Sequence, residues 1–404
     1  MLESGIIIRA LMRNKIGALL IALQIALTMT IMVNAIFMIQ DRQQKMQRDS
    51  GINEADTFYL TNSIFAEGYN FQAEMQTDLD MIRKTPGIID ATQINVIPLS
   101  GWGLSMKLQQ QPGHGKDAIK SAMYLVDDHG INSLDLELIM GINFTAEDVQ
   151  WQAFGNSKWT DKTIITKTLA QNLYPEDWRA AIGKTIYVDK SQPMKIIGII
   201  KKLQAPWNFW SKIERSMLAP AQEEAKKSFY FIRAEEGRRD ELMPIIESAL
   251  AQRNKERIIS QVITLEDTRK NSYRQHNATN KILTTVVTTL ILITGFGIVG
   301  LALFSINRRT KQIGTRRALG ATRWQIMRYF MVENFIISTL GIIIGCIGAI
   351  ALNMWLVKTY NLAPINIELM IFGVIALFIV GQLAVLYPAR KAALIPPATA
   401  TRTI

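Results

Sequence analysis

Four long stretches of the chain carry no charged side chain: Ile16 to Ile39, Ile282 to Ile306, Asn334 to Val357 and Leu369 to Tyr387. A bilayer core of about 30 Å needs about 20 apolar helical residues at about 1.5 Å each, so every stretch is long enough to cross. The sequence therefore predicts an α-helical membrane protein with four transmembrane helices. A cleaved signal peptide is the competing reading of the first stretch, because Arg9, Arg13 and Lys15 precede it. The stretch is too long for a signal core, and Asn34-Ala35-Ile36-Phe37 makes a poor cleavage site.

Basic residues near span ends set the orientation. The segment between the second and third spans carries Arg308, Arg309, Lys311, Arg316, Arg317, Arg323 and Arg328 with no Asp or Glu among them, which predicts a cytoplasmic loop. Arg9, Arg13 and Lys15 at one end, and Arg390, Lys391 and Arg402 at the other, then fall on the same side. Both termini are expected in the cytoplasm, with the large segment between spans one and two outside it. The net charge of +11 lies largely in this belt, which suits anionic lipid headgroups and makes a nucleic-acid partner unnecessary. The single cysteine, Cys346, falls in the third span, so the outer segment has no internal disulfide and must rely on a packed core.

That segment, residues 41–280, reads as a soluble α/β domain. Thr57-Phe58-Tyr59-Leu60, an amphipathic stretch from Phe71 to Lys84, and Ile88 to Val96 give strand, helix, strand. Phe229-Tyr230-Phe231-Ile232, Glu241 to Gln252 and Ile258 to Leu265 repeat the order. The expectation is a split βαβ layer built from about 55–96 and 228–265, with residues 97–227 inserted as a mainly β lobe. Strands are expected there at Thr163 to Ile165, Thr185 to Val188 and Met194 to Ile200. No Gly or Pro occurs between Pro244 and Gly295, so a helix starting at Leu265 is expected to run unbroken into the second span. The membrane part then comprises residues 1–40 and 281–404, with spans at 282–306, 334–357 and 369–387 and a loop at 307–333.

The loop from Lys311 to Ile326 is the most informative stretch. A short basic helix should end at Gly320, the usual residue for a left-handed cap, and Thr322 with Gln325 three residues on can open the next helix as a capping box. Taken alone, such a loop serves either as a topology signal or as a docking element for a soluble partner.

The run Lys311-Gln312-Ile313-Gly314-Thr315-Arg316-Arg317-Ala318-Leu319-Gly320-Ala321-Thr322-Arg323-Trp324-Gln325-Ile326 resembles the signature of the MacB-like permeases, within the FtsX-related superfamily of ABC transporters. The tail Tyr387-Pro388-Ala389-Arg390-Lys391-Ala392-Ala393 is similar to that family's ending. Met140-Gly141-Ile142-Asn143-Phe144 and Ile182-Gly183-Lys184-Thr185-Ile186 resemble its periplasmic core signature more loosely. With the one-plus-three span arrangement, the resemblance covers essentially the whole chain.

The resemblance implies a non-catalytic permease subunit of the bacterial inner membrane, paired with a second permease subunit as a homodimer or heterodimer. It also implies that Ile313, Gly314, Arg316, Arg317, Ala318, Leu319, Gly320, Ala321, Thr322 and Arg323 form a docking loop for an ABC ATPase subunit. Ile313, Ala318 and Leu319 would give apolar contacts, and Arg316, Arg317 and Arg323 would meet acidic or backbone groups. ATP hydrolysis would be relayed mechanically to the periplasmic domains for efflux, with a periplasmic adaptor and an outer-membrane channel as further partners the resemblance allows. Only fifteen residues precede the first span, so the ATPase, with its ATP and Mg, is expected on a separate polypeptide. The spans contain no ionisable residue of the sort that marks ion or proton pathways, which agrees with an energy source outside the membrane. A lipoprotein-extracting complex, a regulator of a cell-wall hydrolase, or a membrane sensor without ATP coupling would use the same parts.

Smaller features carry less. Gly183-Lys184-Thr185 mimics the end of a phosphate-binding loop, but Trp178 stands where that loop needs Gly. Gly341 and Gly345 in span three, and Gly295, Gly297 and Gly300 in span two, suit close helix packing, expected within one subunit. Gln24 and Asn34 lie on nearly one face of span one, available to a neighbouring helix or to their own backbone. Trp207-Asn208-Phe209-Trp210 is expected to pack within its lobe rather than to meet substrate, an adaptor or the membrane. His114, His129 and His276 lack metal-ligand spacing, and no nucleophile has a base nearby, so no catalytic, cofactor or metal residue is assigned.

Overall fold

Apolar residues alternate along the strands of the inserted region, and the computed structural model has the split βαβ layer and the inserted, mainly β lobe expected of it. It describes residues 15–65, 68, 70–113, 118–153, 155, 159–360 and 363–397; Arg9, Arg13, His114 and Arg402 lie outside the described residues. The chain divides into a helical unit, formed up to Gln44 and from His276 onward, and an inserted domain, Lys45–Gln275.

The chain begins with α1 (Lys15–Met46), followed by β1 (Thr57–Ile64), α2 (Phe71–Arg83) and β2 (Ile88–Ile94). The inserted lobe follows: β3 (Leu104–Gln109), β4 (Ile119–Val126), the single turn α3 (Gly130–Ser133), β5 (Leu138–Gly141), β6 (Gln150–Ala153), β7 (Lys162–Thr166), α4 (Lys167–Leu173), β8 (Thr185–Val188), β9 (Gln192–Ile200) and β10 (Ser216–Glu224). The first layer is then completed by β11 (Lys227–Ala234), α5 (Arg239–Arg253) and β12 (Arg257–Thr264).

The two strand-helix-strand units interleave in one antiparallel sheet of order β12-β1-β11-β2. Phe58, Leu60, Tyr230 and Ile232 face α2 and α5 in one core, while Tyr59, Phe229 and Phe231 face the inserted lobe in another. This is the period-two rule applied on both faces of one sheet. Each large side chain fully buried there contributes about 1.5–3 kcal/mol.

The lobe is a barrel-like sheet. Its strands run β4-β3-β8-β9-β7-β10, and β10 pairs in parallel with β4 to close the circuit. Met123 and Leu125 of β4 point into the barrel core beside Met106, Ile186 and Met217. Ala122, Tyr124 and Val126 point outward to the four-stranded sheet.

After β12 the chain forms α6 (Leu265–Ser272), α7 (Arg274–Arg308), α8 (Thr310–Ala318), α9 (Arg323–Tyr360) and α10 (Ile367–Ala393). The unbroken helix expected from Leu265 is corrected: the helix is interrupted at Tyr273, which takes φ −94° and ψ 2°. Tyr273 is buried against Arg269 and Phe209, so side-chain packing overrides a run free of Gly and Pro. Among the described residues four helices, α1, α7, α9 and α10, are long and apolar enough to cross a membrane, and each reaches past its charge-free stretch.

In the helical unit, small residues let α9 approach α1. A Cβ on Gly341 would lie 2.7 Å from the Ala22 carbonyl oxygen, and one on Gly345 2.5 Å from Met29 Cβ. Gly341 and Gly345 of span three thus lie directly against α1 of the same chain. Gln24 donates to the Ile293 carbonyl at 2.9 Å, and Thr28 meets Thr294 at 2.7 Å, tying α1 to α7. Asn34 donates both to its own helix at Thr30 and across to Ala349 of α9, at 2.9 and 3.1 Å.

Candidate functional site

The basic loop is built as a rigid corner at one end of the helical unit. Arg309 sits between α7 and α8, and its guanidinium donates to both carboxylate oxygens of Glu333 on α9 at 3.0 Å each. Ile313 is the anchor of α8: only 4% exposed, it packs with Ile306, Ile326, Phe330, Ala389 and Ala392 from the ends of α7, α9 and α10. Gly314 beside it is buried too.

The sequence ends α8 with hydrogen bonds that leave few loose groups. Gly320 takes φ +94°, its N–H bonds to the Arg317 carbonyl at 3.2 Å, and the Ala321 N–H bonds to the Arg316 carbonyl at 3.0 Å. This pair is the Schellman arrangement that a C-terminal glycine permits. Thr322 then opens α9 as expected, with the Gln325 N–H donating to its hydroxyl at 3.3 Å and its own N–H donating to the Gln325 side chain at 2.8 Å.

These restraints fix what the corner displays. Leu319 is 83% exposed and Trp324 61%, with the exposed Ala318, Thr322 and Arg323 around them. Arg317 donates to the Ala321 carbonyl at 2.9 Å, and the Arg316 guanidinium lies 5.0 Å from the Tyr329 ring centroid. The expectation that Ile313 gives an apolar contact to a partner is corrected, because that side chain is consumed by the internal core. Trp324 was not singled out by sequence reasoning, although an exposed indole five residues after Leu319 in a basic loop is a usable signal.

The other flagged residues have structural roles. Gly141 takes φ +85°, and a Cβ there would lie 2.2 Å from the Ile197 carbonyl oxygen, so the β5–β9 approach needs glycine. Gly183 turns at φ +81° into the strand β8, not into a helix whose N-terminus would cradle phosphate. Trp207 and Trp210 meet edge to face at 5.5 Å and pack on the core between the layers. His129, itself partly exposed, bonds the buried Asp90 carboxylate at 2.8 Å. Among the described residues no group of His, Cys, Asp and Glu side chains is arranged to hold a metal ion.

Comparison with known proteins agrees with this division. Residues 18–248 match the MacB-like periplasmic core domain, and residues 284–397 match the FtsX-like permease C-terminal domain. The ABC transporter permease YknZ of Bacillus subtilis is 25% identical over 295 residues, covering 69% of this chain and 68% of its own. The macrolide export ATP-binding/permease protein MacB of Campylobacter jejuni is 26% identical over 266 residues, covering 60% of this chain; that match spans only 39% of the MacB protein. The periplasmic region of MacB from Actinobacillus actinomycetemcomitans aligns with 57% of this chain and 97% of its own, at 14% identity and a TM-score of 0.31. The first match alone takes in more than half of the chain, and the chain belongs to the MacB-like ABC transporter permeases with an FtsX-like membrane region.

Proposed function

We propose that the chain is the transmembrane subunit of an ATP-driven transporter and that the α8–α9 corner docks a separate ABC ATPase. One observation supports this above the rest: Leu319 stands exposed on a corner whose every neighbouring turn is fixed by caps and by the Ile313 anchor. A topology signal needs only charge, whereas a rigid apolar knob rimmed by Arg316, Arg317 and Arg323 suits insertion into a partner's cleft. In this reading Leu319 and Trp324 are the apolar contacts, and ATP and Mg belong to the partner.

The basic corner and both termini face the cytoplasm of a bacterial inner membrane, the MacB-like domain faces the periplasm, and a second permease subunit completes the membrane part. Hydrolysis by the ATPase is relayed through α1 and α7, the two helices whose chain leads into that domain, and the resulting motion expels substrate from the periplasmic side. The names of the MacB relatives, which join ATP binding, permease and macrolide export, support this assignment of class.

The test is co-purification from the native membrane in mild detergent. Wild-type chain should bring down an ABC ATPase, and Leu319→Asp should lose it at unchanged expression and melting temperature. Burying one leucine is worth about 1.5–3 kcal/mol, so docking should weaken at least tenfold. Absence of any ATPase with wild type, or equal recovery with the variant, overturns the proposal.

A further inference from the structure

At the end of the helical unit that carries the basic corner, α1, α7, α9 and α10 leave a pocket of about 320 Å³. Its walls are apolar, with Leu20 of α1, Leu301 and Phe304 of α7, and Ile337 of α9 among them. Its polar side is formed by Arg308, Arg309 and Glu333. Both oxygens of Glu333 accept from Arg309, so that carboxylate is already matched. Among the described residues the exposed Arg308 guanidinium, 4.6 Å from the Phe304 ring centroid, is the charge left over, and two cations against one anion make that part of the rim net positive.

The walls belong to helices long and apolar enough to lie in a bilayer, where the surrounding medium is lipid. A purely polar solute would find no partners along Leu20, Leu301 and Ile337, and a purely apolar one would leave the Arg308 charge unused. An amphiphile with an apolar tail and an anionic head satisfies both ends. The adjoining run from Arg308 to Arg328 contains no Asp or Glu, and the carboxylate that does face the pocket, Glu333, is paired with Arg309. Basic pockets between membrane helices at such a boundary are suited to phospholipid headgroups.

We propose that this pocket is a binding site for an anionic phospholipid, one acyl chain lying between α1 and α7 and the phosphate resting on Arg308 and Arg309. The bound lipid fastens α1 to the helix ends on which the basic corner is built.

The full-length chain is reconstituted into vesicles of equal phosphatidylglycerol and phosphatidylcholine, re-extracted in mild detergent, and weighed intact by native mass spectrometry. About one phosphatidylglycerol per chain should persist. Arg308→Gln should lower its retention at least fivefold relative to phosphatidylcholine, and Ser305→Trp, which fills the pocket, should abolish retention of both. If Ser305→Trp does not fold, Ala302→Leu gives a smaller filling and should reduce retention in the same way. Equal retention of the two lipids by wild type overturns the proposal, as does a folded wild-type chain with no lipid bound. Retention unchanged in a folded, pocket-filled variant also overturns it.

Discussion

Asp78 and Arg257 are each fully buried between α2, α5 and the four-stranded sheet, and they pair directly. Asp78 also accepts from Arg253 at 2.6 Å and from the Tyr230 hydroxyl at 2.8 Å, so its charge is satisfied several times over. Asp78→Ala strands the Arg257 charge in a closed site and should cost about 3–5 kcal/mol, read as a loss of denaturant resistance by tryptophan fluorescence. A second polar cluster behaves differently because it contains a histidine, whose charge depends on pH. The hydrogen bond that His129 donates to the Asp90 carboxylate raises the His129 pKa above its ordinary value, against the opposing effects of burial and of Arg83. Asp90, penalised by burial, is nonetheless held low by His129 and Asn132, while burial pushes Asp127 up despite Arg83. A raised histidine pKa gives stability that is full below about pH 6.5 and is lost as pH rises through the folded value. The wild-type chain should therefore lose more melting temperature between pH 6 and pH 8 than His129→Gln. His129 is 39% exposed and shares Asp90 with Asn132, so the difference should be small but of this sign. Equal losses would show that His129 does not contribute.

Elements were legible where their signal was local. The strands β1, β2, β11 and β12 announced themselves by β-branched and aromatic residues on both faces, and the α8 corner by Gly320 and Thr322. The barrel was only partly legible. Strand β10 carries Pro220, Gln222, Glu223 and Glu224, and its place is fixed by parallel pairing with β4, nearly a hundred residues away by number, which no short window reveals. Tyr273 shows the same limit in a helix, since a packing event interrupts what propensity alone would continue. The span-three glycines were legible as packing residues because a small side chain has a direct steric meaning. A Cβ on Gly345 would lie 2.9 Å from the Ala26 carbonyl oxygen as well as against Met29, so Gly345→Leu must push α9 away from α1. Overpacking of this kind should cost about 1–3 kcal/mol, measured as a lower melting temperature of the detergent-solubilised chain. Gly300→Leu, where the same Cβ meets nothing within 4 Å, should be tolerated.

An inserted domain must bring its first and last residues together if it is to sit in a loop of a membrane protein, and one arginine does this within the MacB-like domain. Arg269 of α6 donates to the carbonyls of Met46 and Arg48 at 2.9 and 3.0 Å, and it pairs with the Glu54 carboxylate at 2.5 Å. Tyr273 adds a bond to the Lys45 carbonyl at 3.3 Å. None of this was visible in the sequence, because two segments more than two hundred residues apart meet largely through backbone oxygens, which leave no side-chain pattern, and one Arg–Glu pair at that separation carries no local signal. If motion is relayed along α1 and α7, the two strands of chain leaving the domain must move it as one body, and Arg269 is the residue that joins them. Arg269→Ala should leave ATPase co-purification intact, since the α8–α9 corner is untouched, while accelerating amide hydrogen exchange at residues 45–54 and depressing ATP-dependent transport. Arg269→Lys keeps the charge but not the fan of donors, and it should restore only part of the protection. Faster exchange with full transport would show that the clamp stabilises the domain without carrying force, and unchanged exchange would show that the remaining contacts hold the two ends by themselves.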